Sequence, residues 1–231
     1  MQPEIREAYR DGTAGTGLRG IKSREFASLL CSRLCHDLLS PVGALNNGLE
    51  LLADETDPEM RDRCPELLAD SARASANKLK FFRLAFGAAG GFGDEVDTGE
   101  ARAAVEGLFG AEGKIGITWL VEEQRMSKSA LKVLLNLVLL AGDALGRGGA
   151  LVVGAEKHGA GTDIVVRAEG TRIVIDPELK KALVGDVSED DLAPRAAAAW
   201  LVHCLVQEGG GQVQVADGQE GMLLIGASLP A

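Results

Sequence analysis

The sequence predicts a long helical hairpin followed by an α+β sandwich domain. Three observations predict it: apolar residues recurring every three or four positions through two stretches of about thirty residues, a glycine-rich break after them, and a mixed rhythm of short strands and helices from there on.

Residues 1–22 carry scattered charges and several glycines with no apolar period, and read as a flexible tail on which function does not depend. From Ser23 a seam begins: Leu30, Leu34, Leu38, Val42, Leu45, Leu49 and Leu52 alternate steps of three and four, as a bundle helix requires. That helix ends near Asp54. Asp57 offers an N-cap oxygen and Pro58 falls at the first helical position, where a missing N–H costs nothing, so a second helix starts there. Its seam runs through Leu68, Ala72, Ser75, Leu79, Phe82 and Phe86 until Gly87, Gly90, Gly91 and Gly93 break it. Residues 23–88 thus form one unit, a hairpin of helices roughly 45 Å long. Two helices cannot cover their own apolar stripe, and a second copy of the hairpin is the simplest cover, which predicts a homodimer built on a four-helix bundle.

Residues 94–231 form the second unit. The pattern predicts a helix near Glu100–Phe109, a strand over Lys114–Val121, a helix over Ser127–Leu145, and strands over Ala150–Glu156 and Asp163–Ala168. A short strand at Arg172–Ile175, a helix over Asp191–Glu208 and a closing hairpin, Gln212–Ala216 with Met222–Leu229, complete it.

A net charge of −10, from 24 basic and 34 acidic residues, repels phosphate backbones and anionic lipid heads, and no basic cluster interrupts it. Nucleic acid and membranes are therefore excluded as expected partners. With no export signal and no apolar run long enough to span a bilayer, a cytoplasmic location is expected. The four cysteines, Cys31, Cys35, Cys64 and Cys204, lack framework spacing and are expected as small buried thiols rather than metal ligands.

Of three histidines, His158 lies in a glycine turn and His203 in an alanine-rich helix, without catalytic neighbours in sequence. His36 lies two residues from both Leu34 and Leu38, about 200° around a helix from each, so the seam points inward and His36 outward. Ser32 and Ser40 stand four residues to either side, with Arg33, Leu39 and Gly43 on the same side of the helix. One imidazole among small residues beside an exposed leucine leaves room for another protein to dock. Pro41 then sits five residues past the histidine, inside a helix, at a cost of about 3 kcal/mol.

These residues carry a resemblance. His36, Asp37 and Pro41 match the phosphoacceptor motif of sensor histidine kinases. Leu34-Cys35-His36-Asp37 with Ser40-Pro41, Glu50-Leu51-Leu52, Ser71-Ala72-Arg73 and Arg83-Leu84-Ala85-Phe86-Gly87 more closely resemble the histidine phosphotransferases of the ChpT type. The second unit resembles the ATP-binding (GHKL) domain of histidine kinases in degenerate form. Leu140 stands where the magnesium-holding asparagine belongs, Ala168 replaces the adenine-reading aspartate, Arg172 replaces a glycine, and Ala196-Ala197-Ala198-Ala199 occupies a glycine-rich box.

The resemblance implies a phosphorelay intermediate. His36 would take a phosphoryl group from the receiver domain of a hybrid histidine kinase of the CckA type and pass it to response-regulator receivers of the CtrA and CpdR type. Asp37 would orient the imidazole; Arg33 and Ser40 are candidate contacts to the phosphoryl group or the receiver, and Ser32, Leu39 and Gly43 candidate docking surface. The chain itself would bind no cofactor, neither ATP nor metal, the receiver supplying Mg²⁺. Two other readings remain open at this level: an ATP-dependent histidine kinase, and a non-catalytic pseudo-kinase that only holds a receiver.

Overall fold

A computed structural model describes residues 23–87, 94–111, 113–187, 191–216 and 221–230. The tail and the glycine-rich linker at 88–93 lie outside the described residues.

Helix α1 spans Ser23–Asp54 and α2 spans Pro58–Ala85. The turn between them is closed locally. Glu55 Oε1 accepts from the N–H groups of Thr56 and Asp57, both at 2.9 Å, and the Asp57 side chain accepts from Glu59 N at 3.0 Å. Pro58 follows at the first helical position. Helix α1 passes through Pro41 without a break, with the proline ring buried.

The second unit opens with strand β1 (Glu95–Asp97), helix α3 (Thr98–Val105) and a π-helical turn, Glu106–Gly110. Strands β2 (Ile115–Val121) and β3 (Arg125–Ser127), helix α4 (Lys128–Ala144), and strands β4 (Gly149–His158) and β5 (Gly161–Glu169) follow. Helix α5 (Pro177–Val184), a 3₁₀ turn (Pro194–Ala196), helix α6 (Ala197–Glu208) and strands β6 (Gln212–Ala216) and β7 (Met222–Leu229) end the chain. The main sheet has the order β2-β4-β5-β7-β6, with β2 parallel to β4 and every other pair antiparallel. Period-two burial gives its inner face: Leu151 and Val153, Ile164, Val166 and Ala168, Leu223, Ile225 and Ala227.

Helix α4 is the centre of the molecule. From Leu131 through Ala141 it is apolar on nearly every side apart from Lys132 and Asn136, as a helix packed from all directions must be. One side lies on the sheet; the other receives the end of α2, where Phe81, Phe82, Leu84 and Ala85 are buried. Phe81 meets Phe109 of the π-turn edge to face at 6.3 Å. The hairpin is therefore anchored in the second unit by its last turn.

The expected architecture, hairpin then α/β sandwich, is the one found, with local corrections. Arg172–Ile175 is not a strand: the chain crosses it without ladder bonds and enters α5, which Asp176 caps through Glu178 N at 2.9 Å with Pro177 at the first position. Ile173 and Ile175 pack singly against the core there, and Val174 is exposed. The helix expected from Asp191 begins at Ala197, because Pro194 directs the preceding residues into a 3₁₀ turn. The sheet is mixed rather than hairpin-built throughout, since α4 carries the chain from one edge across to a parallel neighbour. Cys31 and Cys35 are exposed, not buried; only Cys64 is fully enclosed.

Candidate phosphoacceptor site on the hairpin

The inward pull of Leu34, Leu38, Pro41 and Leu45 fixes the rotation of α1 and turns His36 out, with 85% of its side chain exposed. Its Nδ1 lies 3.2 Å from Asp37 Oδ1. A carboxylate can only accept from a neutral imidazole, so this contact places the ring proton on Nδ1 and leaves the Nε2 lone pair facing solvent. One ring nitrogen is thus held and the other is open to solvent.

Asp37 is itself held on its other side. Arg33 Nε donates to Asp37 Oδ2 at 2.7 Å, and Lys78 of α2 donates to the Asp37 carbonyl at 2.8 Å. Arg33, only 13% exposed, extends further: its Nη2 donates to Asp143 Oδ2 of α4 at 2.6 Å and its Nη1 to the Arg195 carbonyl at 3.4 Å. Burial works against the charge on Arg33, but Asp143 and then Asp37 more than offset it and hold its pKa above the ordinary value. The Asp143 side chain keeps 41% of its surface exposed, yet the protein packed around its carboxyl still pushes the pKa up, opposed by Arg33. Every described N–H contact of Arg33 thus goes to protein groups rather than to the space beside His36.

The other residues singled out from sequence lie around the imidazole. Ser32 and Ser40 are exposed, Leu39 is 70% exposed, and a Cβ added at Gly43 would meet nothing within 4 Å. Among the described residues these positions are open to solvent around His36. His158 and His203 are elsewhere and otherwise engaged: His158 Nε2 lies 3.2 Å from Asp163 Oδ2, and His203 stacks on Trp200 at 5.2 Å. Sequence reasoning finds His36 and its surface but not Asp143, Lys78 or the Arg195 carbonyl. A faint signal exists for Asp143 alone, an acid in the last turn of an apolar helix, where the helix dipole opposes it. Among the described residues no group of three or more histidine, cysteine or acidic side chains could hold a metal ion, and no helix is long and apolar enough to cross a membrane.

Residues 98–221 match the family model described as the histidine phosphotransferase C-terminal domain, and the chain belongs to that family. The chain is 33% identical over 195 residues to protein phosphotransferase ChpT of Brucella abortus, covering 84% of this chain and 91% of that relative. It is also similar to the 1.7 Å structure of a bacterial phosphotransferase, with a TM-score of 0.80 at 30% identity, over 92% of this chain and all of the other.

Proposed function

We propose that this protein relays phosphoryl groups between receiver-domain aspartates through His36. The observation that carries the reading is the pairing of an exposed Nε2 with an Nδ1 held by Asp37. In the forward step the Nε2 lone pair attacks the phosphorus of an aspartyl phosphate in line. The N–P bond forms, the acyl phosphate P–O bond breaks, and the receiver's aspartate leaves as a carboxylate. The ring becomes cationic with its proton still on Nδ1, and Asp37 stabilises that charge. The second step is the reverse reaction with another receiver. Because phosphoryl transfer proceeds through a loose transition state, positioning and charge stabilisation provide most of the catalysis, and the receiver brings the Mg²⁺.

The donor in this reading is the receiver of a hybrid kinase of the CckA type, and the acceptors are receivers of the CtrA and CpdR type. Leu39, Ser32, Ser40 and Gly43 give the docking surface, with Ser40 the candidate contact to the phosphoryl group. ATP has no part in it. Leu140, Ala168 and Ala196–Ala199 are each 2% exposed or less, apolar side chains packed into the core that offer neither a magnesium ligand nor an adenine acceptor. The functional form is a homodimer through the hairpins, supported by the apolar side chains that one hairpin leaves uncovered: Val42 and Leu79 are 50% exposed and Leu49 57%. The test is incubation with a phosphorylated receiver domain, followed by mapping of the labelled residue.

A further inference from the structure

Three side chains, Asp37, Arg33 and Asp143, connect the imidazole to the second unit: His36 Nδ1 to Asp37 Oδ1 at 3.2 Å, Asp37 Oδ2 to Arg33 Nε at 2.7 Å, and Arg33 Nη2 to Asp143 Oδ2 at 2.6 Å. The two oxygens of Asp37 serve different partners. A guanidinium beside a carboxylate ordinarily takes both oxygens with its planar fork. Here it uses only Nε on Asp37, because Nη2 goes to Asp143 at 2.6 Å and Nη1 to the Arg195 carbonyl at 3.4 Å.

Asp143 is otherwise badly placed. It stands in the last turn of α4, where the helix dipole disfavours an anion, and the surrounding protein disfavours its charge as well. Its carboxylate is favoured by the hydrogen-bonded Arg33 and, more weakly, by the charge of Lys78. A residue that opposes local stability at the end of a buried helix and touches the phosphoacceptor helix through one arginine points to a role at the site.

We propose that Asp143 is a positioning residue for His36: by holding the far edge of the Arg33 guanidinium, it keeps Asp37 Oδ1 free to fix the imidazole proton on Nδ1. This rests on the reading of His36 as phosphoacceptor. It adds that the second unit sets the reactivity of the histidine on the first. Without the Asp143 carboxylate, the guanidinium swings onto both oxygens of Asp37 and the imidazole loses its partner.

The test uses the full chain with Asp143→Ala, Asp143→Glu and Arg33→Lys. Two readouts are taken without any receiver: the tautomer of the His36 ring by long-range ¹H–¹⁵N correlation, with His158 and His203 as internal references, and the rate of phosphorylation by phosphoramidate. In the latter the Nε2–P bond forms as the P–NH₃ bond breaks, releasing ammonia. The proposal expects Asp143→Ala to shift the His36 ring away from the Nδ1–H form and to slow phosphorylation about tenfold, the scale of a small misplacement of a reacting group. Asp143→Glu should recover most of both. Arg33→Lys, whose single ammonium cannot serve the two carboxylates in the same geometry, should behave like Asp143→Ala and stands in for it should that variant fail to fold. An unchanged tautomer in a folded Asp143→Ala or Arg33→Lys protein overturns the proposal, whether or not the rate falls. Failure of the phosphoacceptor reading is seen separately, as wild-type protein that takes no label from a phosphorylated receiver while the tautomer still responds to Asp143.

Discussion

Asn136 Nδ2 donates to the carbonyl of Ala85 at 3.1 Å, from the middle of one buried helix to the last residue of another. The same nitrogen donates to Lys132 O at 2.8 Å, so its two hydrogens close one carbonyl within α4 and one of those that α2 leaves open at its end. Read as a sequence, Asn136 merely interrupts an apolar run; in the fold it is what the end of the hairpin binds to.

Asn136→Leu should therefore be destabilising although it makes the core more apolar. It leaves the Ala85 carbonyl buried without its partner, at a cost of about 1–3 kcal/mol, and forces a branched side chain into a fully packed site. Urea unfolding checks this, and a variant as stable as wild type would mean that the amide does not anchor the hairpin.

Leu49→Lys and Leu79→Lys should dissociate the dimer and leave a folded monomer. Both side chains are at least half exposed within one chain, so a charge there meets water in the monomer and an apolar partner in the bundle. The expected weakening is at least roughly 30-fold in the dimer dissociation constant, as for loss of a central apolar contact. Sedimentation at several concentrations measures it; two variants that sediment as wild type would reject the hairpin interface.

Calorimetry with Mg·ATP should show no binding. The positions that the proposed reading takes as altered parts of a nucleotide site, Leu140, Ala168 and Ala196–Ala199, are buried apolar side chains with no group to hold magnesium or adenine. A micromolar dissociation constant, about −8 kcal/mol, would contradict the account of the second unit.

How far the sequence discloses this molecule depends on the range of the interaction. The hairpin is legible because its determinants are local: seam spacing, the Asp57-Pro58 start, and the 200° offset that exposes His36. Helix α5 carries the same kind of start at Asp176-Pro177 and a left-handed Gly185 at its end, φ +79°, yet the valine and isoleucine just before it imitate a strand. Strands β1 and β3 pair over three residues each, too short to leave a period. The Arg33–Asp143 contact joins residues 110 positions apart, and nothing near either residue encodes its partner.

The raised pKa of Asp143 makes a signed prediction. Burial is its main cause, Asp37 adds to it, and Arg33 and Lys78 oppose it. An aspartate whose folded pKa exceeds its unfolded value of about 3.9 binds its proton more tightly when folded. Its contribution to stability is therefore fully present below that value and is lost as pH rises through the folded pKa. Compared with Asp143→Asn, the wild-type protein should lose stability as pH is raised from about 4 toward neutrality. Urea midpoints of the two proteins across that range decide it, and a difference that grows in favour of wild type with rising pH would reverse the sign.

The most direct measurement of the central claim is transfer from a phosphorylated receiver domain to wild type, His36→Ala, His158→Ala and His203→Ala, with the label mapped and tested in acid and base. His36 contributes an outward side chain and little packing, so His36→Ala should keep its fold and association state. The account predicts an acid-labile, base-stable label at His36 in wild type, its complete loss in His36→Ala, and its retention in the other two variants. A label that persists in His36→Ala, or that maps to an aspartate or a cysteine, would contradict it.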